Sequence, residues 1–202
     1  MRVEKLVVGQ LWTNCYLVWD EKDKKGIIID PGDDADFIVQ KIQDFKVIPS
    51  AIIATHGHFD HVLAGLELKL AFDIPFVIHQ ADLFLLNRVQ QPDKFVKEDD
   101  FITFGKEKLK VLETPGHTPG GISLYHGHPR GVPQAQHHPG GDGVLFTGDT
   151  LFADGFGRTD FSYGSKEDLE KSIKKLFKLP GDTIVYPGHG EERTIGEAKN
   201  LV

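Results

Sequence analysis

Thr55-His56-Gly57-His58-Phe59-Asp60-His61 places three imidazoles and a carboxylate within a few residues of one another, directly after the apolar run Ala51–Ala54. A short apolar run of this kind reads as a buried strand, so these side chains leave a strand end and enter the start of a helix. His56 and His58 alternate, and both turn to one side of a bent loop. Asp60 and His61 approach from the helix start. Neutral imidazole and carboxylate are ligand types that zinc and iron accept, at about 2.0–2.2 Å. The plainer alternative is a solvated, histidine-rich loop; a lone His-x-His would favour that alternative, and Asp60 and His61 at these offsets reverse the balance toward a metal site.

Three further strand ends carry the same kind of residue. His117 lies in Thr114-Pro115-Gly116-His117-Thr118 after the strand Leu109–Glu113. Asp149 lies in Thr147-Gly148-Asp149-Thr150 after Val144–Phe146, and His189 in Tyr186-Pro187-Gly188-His189-Gly190 after Thr183–Val185. Glycine beside each permits a tight backbone that can bring the side chain into a shared cleft. Singly each is a loop residue; together they point to one converging site.

The rest of the chain supplies two batches of strands, each followed by helices. Leu6–Val8, Cys15–Trp19, Ile27–Ile29, Ala51–Ala54 and Phe76–Ile78 form the first batch. Phe101–Phe104, Leu109–Glu113, Ile122–Tyr125, Val144–Thr147 and Thr183–Tyr186 form the second. Helices are expected over Asp33–Phe45, His61–Phe72 (with Val62, Leu66 and Leu70 as its stripe), Ala81–Asn87, Ser165–Leu176 and Ile195–Asn200, with a polar loop over Gln90–Asp100. The pattern implies two sheets with helices outside, a layered α/β sandwich. One domain over residues 1–202 is expected, with His126–Gly143, rich in Gly, Pro and His, as an inserted surface loop.

Composition narrows the function classes. The chain has 202 residues, 40% of them hydrophobic and 26% charged, which is globular composition. A net charge of −7 gives no electrostatic footprint for nucleic acid or an anionic membrane. Cys15 is the single cysteine, so no intrachain disulfide forms. Glu4 and Lys5 interrupt the N-terminal apolar residues, so no signal peptide is read there, and no run approaches the ~18 apolar residues of a membrane span. A cytoplasmic protein with a small-molecule substrate, and with neither nucleic acid nor membrane as partner, is the expectation.

The order His-x-His-x-Asp-His, then His117, Asp149 and Gly188-His189, together with Ile28-Ile29-Asp30-Pro31-Gly32, resembles the metallo-β-lactamase superfamily over nearly the whole chain. The resemblance implies a four-layer αββα sandwich with a metal cleft along one edge of the two sheets. It implies that His56, His58 and His117 hold one metal, that Asp60, His61 and His189 hold a second, and that Asp149 bridges the two. The cofactor expected is therefore a pair of divalent ions, zinc first, with iron or manganese as alternatives. Asp30 matches a position that supports the site from behind, although Asp-Pro-Gly is also an ordinary turn.

An aspartate at position 149, followed by Leu151-Phe152 and Gly157-Arg158, is similar to the glyoxalase II branch. That likeness implies thioester hydrolysis, of S-acyl or hydroxyacyl glutathione, by a hydroxide formed between the metals. Asp60 would orient that nucleophile, and Arg158 would hold a glutathione carboxylate; a surface salt bridge is the other reading of Arg158. Gly157-Arg158-Thr159-Asp160-Phe161 also resembles persulfide dioxygenases of the same superfamily. In those, one iron held by a His/His/carboxylate set such as His56, His117 and Asp149 would suffice. Phe156, Phe161 and Tyr163 are candidate cleft walls, while His79 reads as structural. His126, His128, His137 and His138 read as solvated loop residues.

Overall fold

The computed structural model describes residues 1–86, 91–127 and 143–200. Strands β1 (Arg2–Val8), β2 (Thr13–Trp19), β3 (Lys25–Ile29), β4 (Ile48–Ile53), β5 (Phe76–His79) and β6 (Lys94–Val96) form one sheet in that spatial order. Strands β7 (Phe101–Phe104), β8 (Glu107–Glu113), β9 (Ile122–Gly127), β10 (Gly143–Gly148), β11 (Ile184–Pro187) and β12 (Arg193–Thr194) form the other, again in chain order from one edge. In the first sheet β1–β2–β3 pair antiparallel and β3–β4–β5–β6 parallel. The helices are α1 (Ala35–Phe45), α2 (Phe59–Val62), α3 (Gly65–Phe72), α4 (Lys166–Leu176) and α5 (Ile195–Lys199), with a 3-10 turn at Gln80–Leu85.

The period-two alternation of a strand explains the layers. Along the fully buried β2, Cys15, Leu17 and Trp19 join one core with Ile38 and Ile42 of α1 and Leu68 of α3. The intervening Tyr16 and Val18 join a second core with Leu109, Val111, Leu124 and Phe146 of the other sheet. The outer face of that sheet, Leu112, Leu145 and Val185, meets Leu176 of α4 and Ile195 and Ala198 of α5. The result is the expected αββα sandwich. Burial on both faces is also why the strands read as nearly continuous apolar runs.

The local differences from the sequence reading have physical causes. The helix expected over His61–Phe72 is two short helices, because the Ala64 N–H turns to the Pro31 carbonyl at 3.0 Å. Its buried stripe is Val62, Ala64, Gly65 and Leu68, while Leu63 and Leu70 lie exposed. Inside the expected loop Gln90–Asp100, Lys94–Val96 adds a strand to β5, held by backbone pairing that its mixed side chains do not advertise. Ala81–Asn87 becomes the 3-10 turn, and Asn87 lies outside the described residues. His126 belongs to β9 rather than to the insertion, and Gly127 pairs with Gly143. His128, His137 and His138 lie outside the described residues. Ser165 caps α4 as expected, accepting from the Asp168 N–H at 3.2 Å. No helix among the described residues is long and apolar enough to cross a membrane.

Candidate metal centre

Four loops at one edge of the sandwich bring the seven candidate residues together. His56 and His58 follow β4, Asp60 and His61 open α2, His117 follows β8, Asp149 follows β10 and His189 follows β11. Close backbone approach is built in: a Cβ on Gly188 would collide with Asp149 Oδ1 and with the His61 ring. Gly116 takes φ +137°, and a side chain there would strike the backbone of Leu169.

The inward atoms form two overlapping groups. His56 Nε2 and His117 Nε2 stand 3.1 and 3.0 Å from His58 Nδ1. His61 Nε2 stands 3.3 Å from His189 Nε2 and 3.7 Å from Asp60 Oδ2, and His189 Nε2 is 3.4 Å from the same carboxylate oxygen. Asp149 lies between: its Oδ2 is 3.5 Å from His117 Nε2, and its Oδ1 is 3.4 Å from His61 Nε2 and 3.7 Å from His189 Nε2. His56, His61 and Asp149 also converge as a set.

The outward nitrogens are held by oxygens. His61 Nδ1 meets Asp30 Oδ2 at 3.0 Å, His117 Nδ1 the Arg158 carbonyl at 2.8 Å, and His189 Nδ1 the Leu11 carbonyl at 3.1 Å. His56 Nδ1 meets Thr55 Oγ1 at 3.2 Å, and His58 Nε2 the Tyr163 hydroxyl at 2.8 Å. Thr55 in turn donates to Asp30, through its hydroxyl at 2.6 Å and its N–H at 2.7 Å. Asp30, with φ +51°, is thus more than a turn residue: it links His56 and His61 from behind.

These donors fit divalent cations. The outward nitrogens of His56, His61, His117 and His189 are held by oxygens, so their Nε2 atoms face one another and the carboxylates across a space that a cation can fill. Ligand atoms around a tetrahedral zinc stand about 3.3 Å apart, from bond lengths near 2.0–2.1 Å. The separations here run from 3.0 to 3.7 Å. Asp149 Oδ1 is buried without a hydrogen-bond partner and faces His61 Nε2 at 3.4 Å and His189 Nε2 at 3.7 Å, a position from which it could also meet a cation.

Charge in the metal-free cluster follows the same split. Burial lowers the pKa of His58 to about 4, with the His117 ring adding to it, and burial lowers His56 as well. For His61 burial pulls downward, but Asp149 and Asp30 outweigh it and raise its pKa; Asp60 does the same for His189. Burial works against ionisation of Asp60, yet His189 and His61 hold it down at about 2. Asp149 is likewise lowered by the imidazoles around it, His61 foremost, despite its burial.

The other expected site residues divide. Phe161 lies 5.1 Å from the His58 ring and Tyr163 stacks on Phe161 at 5.3 Å, so both wall the cleft. Phe156 instead packs, partly buried, against the core beneath α4 and α5, and its backbone bridges to Leu151. The Arg158 side chain is exposed, sits over Phe161 at 4.6 Å, and engages both oxygens of Asp160 at 2.6 Å. His79 is structural, bonded to Glu113 at 3.2 Å and to the Ala81 N–H.

Sequence reasoning missed Asp82, which is fully buried and accepts from Gly57, Thr118 and Gly120. It also missed the backbone carbonyls of Leu11 and Arg158, which no residue type could have signalled.

Comparison with known proteins agrees with this geometry. The sequence model described as Metallo-beta-lactamase superfamily matches residues 8–132 and 136–189. The hydroxyacylglutathione hydrolase GloC of Haemophilus influenzae is 34% identical over 98% of this chain and 95% of its own length. Among solved structures, the BLEG-1 B3 metallo-β-lactamase superposes with a TM-score of 0.85 at 30% identity, covering 98% of this chain and 97% of its own. TTHA1623 in a di-iron-bound form superposes with a TM-score of 0.82 at 32% identity, covering 98% of each chain. The chain therefore belongs to the metallo-β-lactamase superfamily of metal-binding hydrolases.

Proposed function

We propose that this protein hydrolyses thioesters, S-acyl glutathiones among them, with two divalent cations in the cleft. The observation that carries the reading is the position of Asp149, whose two oxygens face the two imidazole groups separately. His56, His58 and His117 would hold one ion, Asp60, His61 and His189 the other, and Asp149 would serve both. Zinc suits this donor set, as do iron and manganese. Bound there, such ions supply Lewis acidity and lower the pKa of water toward neutrality.

The chain's own residues do the rest. Asp60, kept ionised by His189 and His61, orients the attacking water and receives a hydrogen bond from Thr13 Oγ1 at 3.3 Å. Phe161 and Tyr163 cover one side of the reacting carbon and exclude bulk water from it. Arg158 stands at the rim, where its guanidinium can exchange Asp160 for a substrate carboxylate. A thiolate departs with little protonation, which suits a cleft whose imidazoles are committed to the cluster. The name of the Haemophilus relative supports a glutathione thioester as the substrate.

A persulfide dioxygenase with one iron on His56, His117 and Asp149 is the second reading; it would give His58, Asp60, His61 and His189 no metal to hold, whereas two cations would use all seven converging residues. The test is thiol release from an S-acyl glutathione by protein stripped with a chelator and then reloaded. Activity that returns with added divalent metal supports the hydrolase. Metal-replete protein that releases no thiol from any S-acyl glutathione contradicts it.

A further inference from the structure

Five imidazoles converge on the cleft, and each rests its outward nitrogen on an oxygen. For four of them that oxygen is fixed as an acceptor. Asp30, the Arg158 carbonyl and the Leu11 carbonyl have no hydrogen to give, and Thr55 spends its own on Asp30 Oδ2. His58 is the exception. It is turned over, with Nδ1 inward and Nε2 outward, and its partner is a phenol, which can donate or accept.

The direction of that one bond decides whether the cluster can take a cation. If Tyr163 donates to Nε2, the ring hydrogen sits on Nδ1 and points at His56 Nε2 and His117 Nε2, 3.1 and 3.0 Å away, and blocks the space between them. If Tyr163 accepts, Nε2 keeps the hydrogen and Nδ1 presents its lone pair beside the other two. The phenol ring is held to make the contact: it stacks on Phe161 at 5.3 Å with a 12° tilt and takes the edge of Phe84 at 5.4 Å. Phe161 itself lies against both His58 and His117.

We propose that Tyr163 is a positioning residue that selects the metal-binding tautomer of His58 by accepting its Nε2–H. The proposal rests on the two-cation reading of the site. It has a consequence for the cleft: among the described residues the Tyr163 hydroxyl makes no other hydrogen bond, so its own hydrogen is left for solvent or substrate. Of the five outward contacts, this alone comes from a side chain that also walls the cleft.

Two measurements test it, and neither uses turnover, so failure of the thioester reading would leave both readable. The first is the long-range proton–nitrogen correlation spectrum of histidine-labelled, zinc-loaded wild type. The expected result is a protonated His58 Nε2. An unprotonated Nε2 beside a protonated Nδ1 would overturn the proposal, and no variant is needed to see it. The second is zinc binding by Tyr163→Phe in competition with a chelator; this variant keeps the ring stack and removes only the oxygen. One of two zinc ions should bind about 10-fold more weakly, the usual scale for losing such a partner. A folded variant, by circular dichroism, whose zinc affinities both stay within about twofold of wild type would overturn it.

Discussion

Asp82 accepts a hydrogen bond from the backbone N–H of Gly57 at 2.9 Å, in the middle of the His56-Gly57-His58 turn. The same carboxylate receives Thr118 Oγ1 at 2.7 Å and the Gly120 N–H at 2.6 Å, on the loop that presents His117. One buried side chain therefore sets the distance between the loops that carry three of the imidazoles. Asp82→Ala would strand three donors, at about 1–3 kcal/mol each where burial is retained. Urea unfolding of the metal-free variant should show a loss of at least about 3 kcal/mol, with Asp82→Asn intermediate. A loss below about 1 kcal/mol for the alanine variant would mean that water replaces the carboxylate without cost.

Acid should cost the metal-free protein a share of stability that comes from His58. Its folded pKa is lowered by burial from 6.5 to about 4. Between these values the unfolded chain binds a proton that the folded chain refuses, so this share is present above pH 6.5 and is lost as pH falls toward 4. His58→Gln lacks the group. The stability difference between the two metal-free proteins should therefore drift against the wild type on acidification through that window. Parallel stability curves for the two proteins across it would refute the assignment.

The Arg158–Asp160 pair makes a prediction about substrate reading. Each of its bonds is 2.6 Å long, yet both side chains are about two-thirds exposed, so the pair is worth little to stability. Arg158→Met should raise KM for an S-acyl glutathione about 10-fold and leave a small uncharged thioester nearly unchanged. Asp160→Asn, which frees the guanidinium, should lower KM for the glutathione substrate. Equal effects of Arg158→Met on both substrates would reduce the pair to a surface salt bridge.

Gly188→Ala tests how closely the cluster is packed. The added methyl would meet Asp149 Oδ1 and the His61 ring, the two groups that face the second candidate ion. Elemental analysis should find less than half the wild-type metal in a protein whose far-ultraviolet circular dichroism is unchanged. Full metal content would show that the loop carrying His189 yields freely.

The layers and the seven clustered side chains were legible in the sequence because their signals are local. Ile27–Ile29 and Ala51–Ala54 are apolar on consecutive positions because both faces of each strand are buried. His56, Asp149 and His189 stand beside Gly57, Gly148 and Gly188 where strands end. What stayed hidden depends on distant parts of the chain. Lys94–Val96 is a strand only because β5 offers its edge, and Leu66 and Leu70 lost their place in the core when Ala64 turned to Pro31. Asp82 looked like any acidic residue near a helix start until the fold placed Gly57, Thr118 and Gly120 around it. At Arg158 the sequence draws attention to the side chain, whereas the contact made to His117 is through the backbone carbonyl.

Metal count, together with the reaction run, separates a two-cation hydrolase from a one-iron oxygenase. Protein purified without an affinity tag and supplied with divalent metal should hold about two ions per chain by elemental analysis. The same sample should release thiol from an S-acyl glutathione under anaerobic conditions. One iron per chain, with oxygen uptake on glutathione persulfide and no thioester turnover, would contradict it.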